Sequence, residues 1–225
     1  MSDDARRTEL LDRIRAEPSP TRLQHRVRCL AAAALALAIM VAIFLAFGGV
    51  RPGGPPEHGQ YLVRPIELMV ATWIGAAALS LLAAWQLVGR GPSMLGRRLT
   101  WLAGLSALVV VSLVVWKLAV SSEFADMTRR WPHRVGLKCL LLSLALGGWP
   151  LAALVFARRR SDVIHPRATG AALGVVAGAA TWLFIDLWCP VAYLPHLLLG
   201  HVLPIALFAT AGASLGRRWI AIART

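Results

Sequence analysis

Residues 135–157 read VGLKCLLLSLALGGWPLAALVFA, and ten residues further on 168–187 read ATGAALGVVAGAATWLFIDL. The first block carries one charge, Lys138, near its start. The second carries one, Asp186, near its end. About 20 apolar residues at 1.5 Å each span a bilayer core as a helix. Neither block alternates apolar and polar residues as a half-buried strand does. Four further blocks of this kind lie outward in both directions, at 29–50, 66–88, 99–120 and 194–215. The connections between them are short, which favours antiparallel neighbours. The sequence therefore predicts an all-α membrane protein, a six-transmembrane-helix bundle. Residues 1–28 form an N-terminal arm and 29–225 the transmembrane domain.

Composition agrees. Of 225 residues, 57% are hydrophobic and 16% charged, too little polar surface for a soluble domain of this size. The net charge of +13 would suggest nucleic acid in a soluble protein. Here the arginines border apolar blocks, where they orient helices, so no direct nucleic-acid binding is expected. If the N-terminus is cytoplasmic, seventeen Lys and Arg residues fall on the cytoplasmic side and six on the other. The asymmetry predicts both termini inside and a multi-pass location in a bacterial inner membrane. The first apolar block follows 28 polar residues and is too long for a signal-peptide core, so no cleavable leader is expected.

The arm carries Leu10, Leu11 and Ile14 at helical spacing, with Glu9 and Arg13 as an i, i+4 pair. Asp3 and Asp4 suit a helix start, and Pro18 and Pro20 end it. Two readings stand side by side: an amphipathic segment on lipid headgroups, or a helix docking into a partner's groove through Leu10, Leu11, Arg13 and Ile14. Gly170, Gly174 and Gly178 recur every four residues, and Gly212 and Gly216 repeat the spacing. Both stripes suit close packing of helices within the chain.

The remaining unusual residues gather at the outer side. Cys139 opens the fourth block and Cys189 follows the fifth, whereas Cys29 lies at the other membrane face. Lys117, Asp186 and Glu67 are costly within or beside apolar spans and are expected to face polar partners. Two thiols with His196 form a candidate set for a soft or borderline metal, and an oxidising exterior also permits a disulfide. His133 and His201 also lie on or near the outer side and could join such a set, but His201 follows His196 by five residues, which does not place the two on one face of an α-helix, so His196 is the nearest third group. No CxxC, HExxH or phosphate-loop motif occurs, so neither an enzyme nor a resident cofactor is expected.

These residues resemble the NrsF-like family of multi-spanning bacterial anti-sigma factors, named for negative regulation of sigma F. The likeness is carried by RRWPHRVGLKCLLLSLALGGWPLAALVFARRR at 129–160, ATGAALGVVAGAATWLFIDLWCP at 168–190 and GASLGRRW at 212–219. The arm LLDRIRAEPSPTRLQHRVR, 10–28, looks like that of myxobacterial members. The resemblance implies a protein that holds an extracytoplasmic-function sigma factor at the membrane and releases it on a metal, oxidative or light-generated signal. It implies a sensing role for the cysteines that open the fourth span and follow the fifth, here Cys139 and Cys189. Rival readings are a small transporter with Lys117, Glu67 and Asp186 along its path, a structural subunit, or a thiol redox protein. An inverted repeat would mark the first and a CxxC pair the last, and neither is present.

Overall fold

Every element among the described residues is a helix, the form that satisfies all backbone hydrogen bonds within one segment in an apolar solvent. The computed structural model describes residues 22–47, 70, 73–75, 99–122, 136–159, 165–189, 191 and 194–221. The arm residues Leu10, Leu11, Arg13 and Ile14, and Glu67 before the second block, lie outside them. Of that second block only positions 70 and 73–75 are described, and they are helical.

The helices are α1 (Arg22–Ala46), α2 (Leu99–Ser122), α3 (Leu137–Ala157) and α4 (Pro166–Trp188). A composite rod follows. It comprises α5 (Leu194–Leu197), a π-helical turn (Leu198–Val202), α6 (Leu203–Leu215) and a second π turn (Gly216–Ile220). Among the described residues, three helices are long and apolar enough to cross a membrane: Leu137–Ala157, Pro166–Leu187 and Leu194–Ile220. Shorter apolar stretches occupy Ala34–Ala46 and Ala103–Ala119. Leu35, Leu141, Val115 and Phe156 are more than half exposed, which suits helices facing hydrocarbon.

α4 is the axis of the fold: 72% of its apolar window is buried, against 44% for α3 and 39% for the rod. Its glycine stripe explains why. A Cβ on Gly170 would strike the Gly212 carbonyl, and one on Gly174 the Phe208 carbonyl. One on Gly178 would come within 2.8 Å of the Ile205 Cα. The stripe thus lets the backbones of α4 and α6 touch, and it is spent within the chain. On the other sides of α4, Leu113 of α2 packs with Val175, Ala179 and Trp182. Met40 and Phe44 of α1 pack with Cys139, Leu142 and Leu146 of α3 and with Ile185 and Cys189.

The ends of these helices have local causes. Pro166 begins α4, where its missing N–H is no loss. Cys189 precedes Pro190, whose ring disfavours α geometry in the residue before it. Cys189 is accordingly extended (φ −106°, ψ 109°), and α4 stops there. Gly136, at φ +76°, turns the chain into α3 in a conformation that side-chain-bearing residues avoid.

Candidate metal centre

Four buried side chains converge where α3, the end of α4 and the start of the rod meet. Cys139, Cys189, His196 and His201 place one ligand atom each within 4.8 Å of all the others. All four residues are 3% exposed or less. The Cys189 Sγ lies 3.1 Å from His196 Nε2, and the Cys139 Sγ lies 3.5 Å from the same nitrogen. A tetrahedral zinc with usual Zn–S and Zn–N bonds of about 2.3 and 2.05 Å separates sulfur from nitrogen by about 3.6 Å. Those two edges therefore sit close to the spacing a metal would impose.

His201 supplies the independent sign of a ligand. Both of its ring nitrogens are buried and, among the described residues, have no hydrogen-bond partner. An unsatisfied buried polar group costs roughly 1–3 kcal/mol, and native structures rarely carry one without a reason. A metal ion accepts the ring's lone pair and removes part of that cost. Two thiolates and two imidazoles form a closed set of the kind structural sites use, with no open coordination position. The chemistry it supports is binding rather than turnover.

The sequence places Cys139, Cys189 and His196 on one membrane side, and the fold brings those three together. His201 corrects the reading from spacing. Residues five apart lie about 140° apart around an α-helix. A π turn closes its hydrogen bonds over five residues, which draws such positions into line. The backbone N–H of Leu203 reaches Leu198 in this way, and the His196 and His201 rings stand 5.7 Å apart. The cause is legible in the residues. Pro204 has no N–H to give the Gly200 carbonyl four residues back. The Ser143 hydroxyl of α3 donates to that carbonyl instead, at 3.3 Å. Gly200 also lets the rod approach α3, since a Cβ there would meet that of Cys139 at 3.0 Å.

Beside the cluster lies an ion pair. Lys117 Nζ of α2 donates to Asp186 Oδ1 of α4 at 2.6 Å, both residues being 1% exposed. Asp186 Oδ2 accepts from the indole N–H of Trp182 at 3.1 Å. The Trp182 ring meets His201 edge to face at 4.9 Å. Lys117 and Asp186 stand out in the sequence as costly intramembrane charges, and the fold makes them partners. Trp182, an apolar residue in a span, gave no such signal, yet it links that pair to a ligand. Cys29 lies in α1, whereas Cys139 is on α3 and Cys189 at the end of α4.

A family model described as NrsF, negative regulator of sigma F, matches residues 15–221, nearly the whole chain. No curated protein and no solved structure gives a significant match.

Proposed function

The chain belongs to the NrsF family, negative regulators of sigma F, and from that premise we propose a membrane-held anti-sigma factor governed by metal occupancy of the Cys–His cluster. It acts without catalysis. It sequesters an extracytoplasmic-function sigma factor at the bacterial inner membrane through its cytoplasmic parts and releases it when the cluster changes state. Six spans with both termini inside put the cluster at the outer face, where a periplasmic signal reaches it. On the inner side, Leu10, Leu11, Arg13 and Ile14 of the arm form the sigma-binding helix face.

The observation that carries this reading is the buried set of Cys139, Cys189, His196 and His201, with both nitrogens of His201 lacking a hydrogen-bond partner among the described residues. The energetics suffice. A hundred-fold change in sigma affinity needs about 2.7 kcal/mol of coupling. Structural zinc sites release several times that, on the order of 10 kcal/mol.

The test is a titration of the detergent-purified chain with Co²⁺ and Zn²⁺, paired with a sigma-dependent transcription reporter in cells. One equivalent of Co²⁺ is expected to give thiolate charge-transfer bands and tetrahedral d–d absorption. Cys139→Ser, Cys189→Ser and His201→Ala each weaken binding tenfold or more and abolish the transcriptional response to metal. A wild-type chain that fails to bind either ion at micromolar concentration would overturn the proposal. The proximity of the two thiols favours one rival, a Cys139–Cys189 disulfide formed by an oxidant. The His196→Ala, His201→Ala double variant separates the two, since it keeps an oxidant response and loses a metal response.

A further inference from the structure

At the opposite end of α4 from the cluster, Arg167, Ala213, Ser214, Arg217 and Arg218 line a cavity of about 350 Å³. We propose that this cavity binds the phosphate of an anionic glycerophospholipid. The site is remote from the metal centre, and its assignment is independent of the sensing mechanism.

The first ground is forced proximity of like charges. Arg167 belongs to α4, and Arg217 and Arg218 to the π turn that ends the rod. Glycine contacts hold these ends together, because a Cβ on Gly216 would strike the Pro166 carbonyl and come within 3.1 Å of the Gly170 Cα. Among the described residues the one carboxylate is Asp186. It lies nineteen positions along the helix from Arg167 and is held by Lys117. Three guanidinium groups gathered at one end of the bundle attract an anion.

The second ground is Arg167 itself. It sits in the first turn of α4, at the positive end of the helix dipole, where a cation is disfavoured and an anion stabilised. His165 provides no side-chain cap for the first N–H groups of that helix. The same turn therefore offers both guanidinium and backbone donors to a phosphate.

Depth selects a lipid rather than a free ion. The cavity lies at the end of the apolar rod, which extends to Ile220. Beside Arg218, Trp219 is half exposed. An exposed tryptophan at a span end is the usual marker of the headgroup level, and basic pockets between span ends hold anionic headgroups. The Ser214 hydroxyl already donates to the Thr210 carbonyl at 3.0 Å, so its oxygen is left to accept. A hydroxyl-bearing headgroup such as phosphatidylglycerol fits that polarity.

The experiment is native mass spectrometry of the full-length chain released from detergent micelles doped with phosphatidylglycerol or phosphatidylcholine. Arms with 10 mM inorganic phosphate are run in parallel. Phosphatidylglycerol is expected to bind at least tenfold more tightly than phosphatidylcholine and to resist displacement by inorganic phosphate. The Arg167→Gln, Arg217→Gln, Arg218→Gln variant is expected to lose that preference while keeping its helical circular dichroism. If that variant does not fold, raising salt from 50 to 500 mM must weaken phosphatidylglycerol binding to the wild-type chain several-fold. Equal binding of both lipids, full displacement by inorganic phosphate, an unaltered preference in the triple variant or salt-independent binding would each overturn the proposal.

Discussion

Asp186 carries two obligations at once, one oxygen on the Lys117 ammonium and the other on the Trp182 indole. Two opposite charges withdrawn from water cost several kcal/mol each, and their attraction returns that only when both are present. Removing one leaves the charge of the other uncompensated. Asp186→Asn strands a buried ammonium and is expected to lower stability by about 3–5 kcal/mol, read as thermal unfolding in detergent. Adding Lys117→Met to that variant removes the stranded charge, while the Asn oxygen still accepts from Trp182, so the double variant should melt above the single one. A single variant as stable as the wild type would show that the pair is open to water. Since Trp182 rests against His201, the single variant is also expected to loosen metal binding several-fold, which a Co²⁺ titration measures.

At the scale of elements, the π turn and the glycine stripe do different work. The turn exists because Pro204 withholds a hydrogen bond and Ser143 supplies a substitute. Pro204→Ala restores the donor and favours regular α geometry, which rotates His196 away from His201. The expected outcome is metal affinity reduced tenfold or more in a protein of unchanged helical content, and unchanged affinity would separate the turn from the site. The stripe sets how closely α4 and α6 approach. Gly174→Leu pushes against the Phe208 carbonyl and the Ala209 Cα and should cost about 1–3 kcal/mol in thermal melts. Gly148→Leu, at a position where an added Cβ meets nothing within 4 Å among the described residues, should cost almost nothing. These elements also show what the sequence made legible. Apolar length alone identified α3, α4 and the rod, because a bilayer-spanning helix depends on little else. Cys139, Cys189 and His196 were legible as a set because topology put them at one level. His201 was legible as an outer-side histidine but not as a neighbour of His196, because the α repeat assumed for its helix fails where Pro204 interrupts it. The Lys117–Asp186 pairing depends on the rotation of α2 against α4, which apolar helices do not encode in their composition.

For the whole molecule, direction in the membrane decides which end senses and which end signals. The proposed orientation, drawn from the arginine asymmetry, puts the Cys–His cluster outside and Arg167, Arg217 and Arg218 inside. Alkaline phosphatase fused after Gly54 or Asp126 is expected to be active and after Ser161 inactive, and activity at Ser161 would invert the arrangement. Within that frame, the distribution of ligands along the chain has a kinetic consequence. Cys189 directly follows α4, and His196 and His201 lie in the first two segments of the rod, whereas Cys139 comes from α3. Under the proposed metal control, an ion would be captured first by the three ligands that lie close together in sequence. Cys139 would then close intramolecularly, at an effective concentration set by helix packing rather than by the solution. Capture and closure would be separate steps with separate rates. Only the second would tie α3, already packed beside α4, to the other three ligands, so a brief encounter with metal would leave α3 unbound by it and a lasting one would hold it.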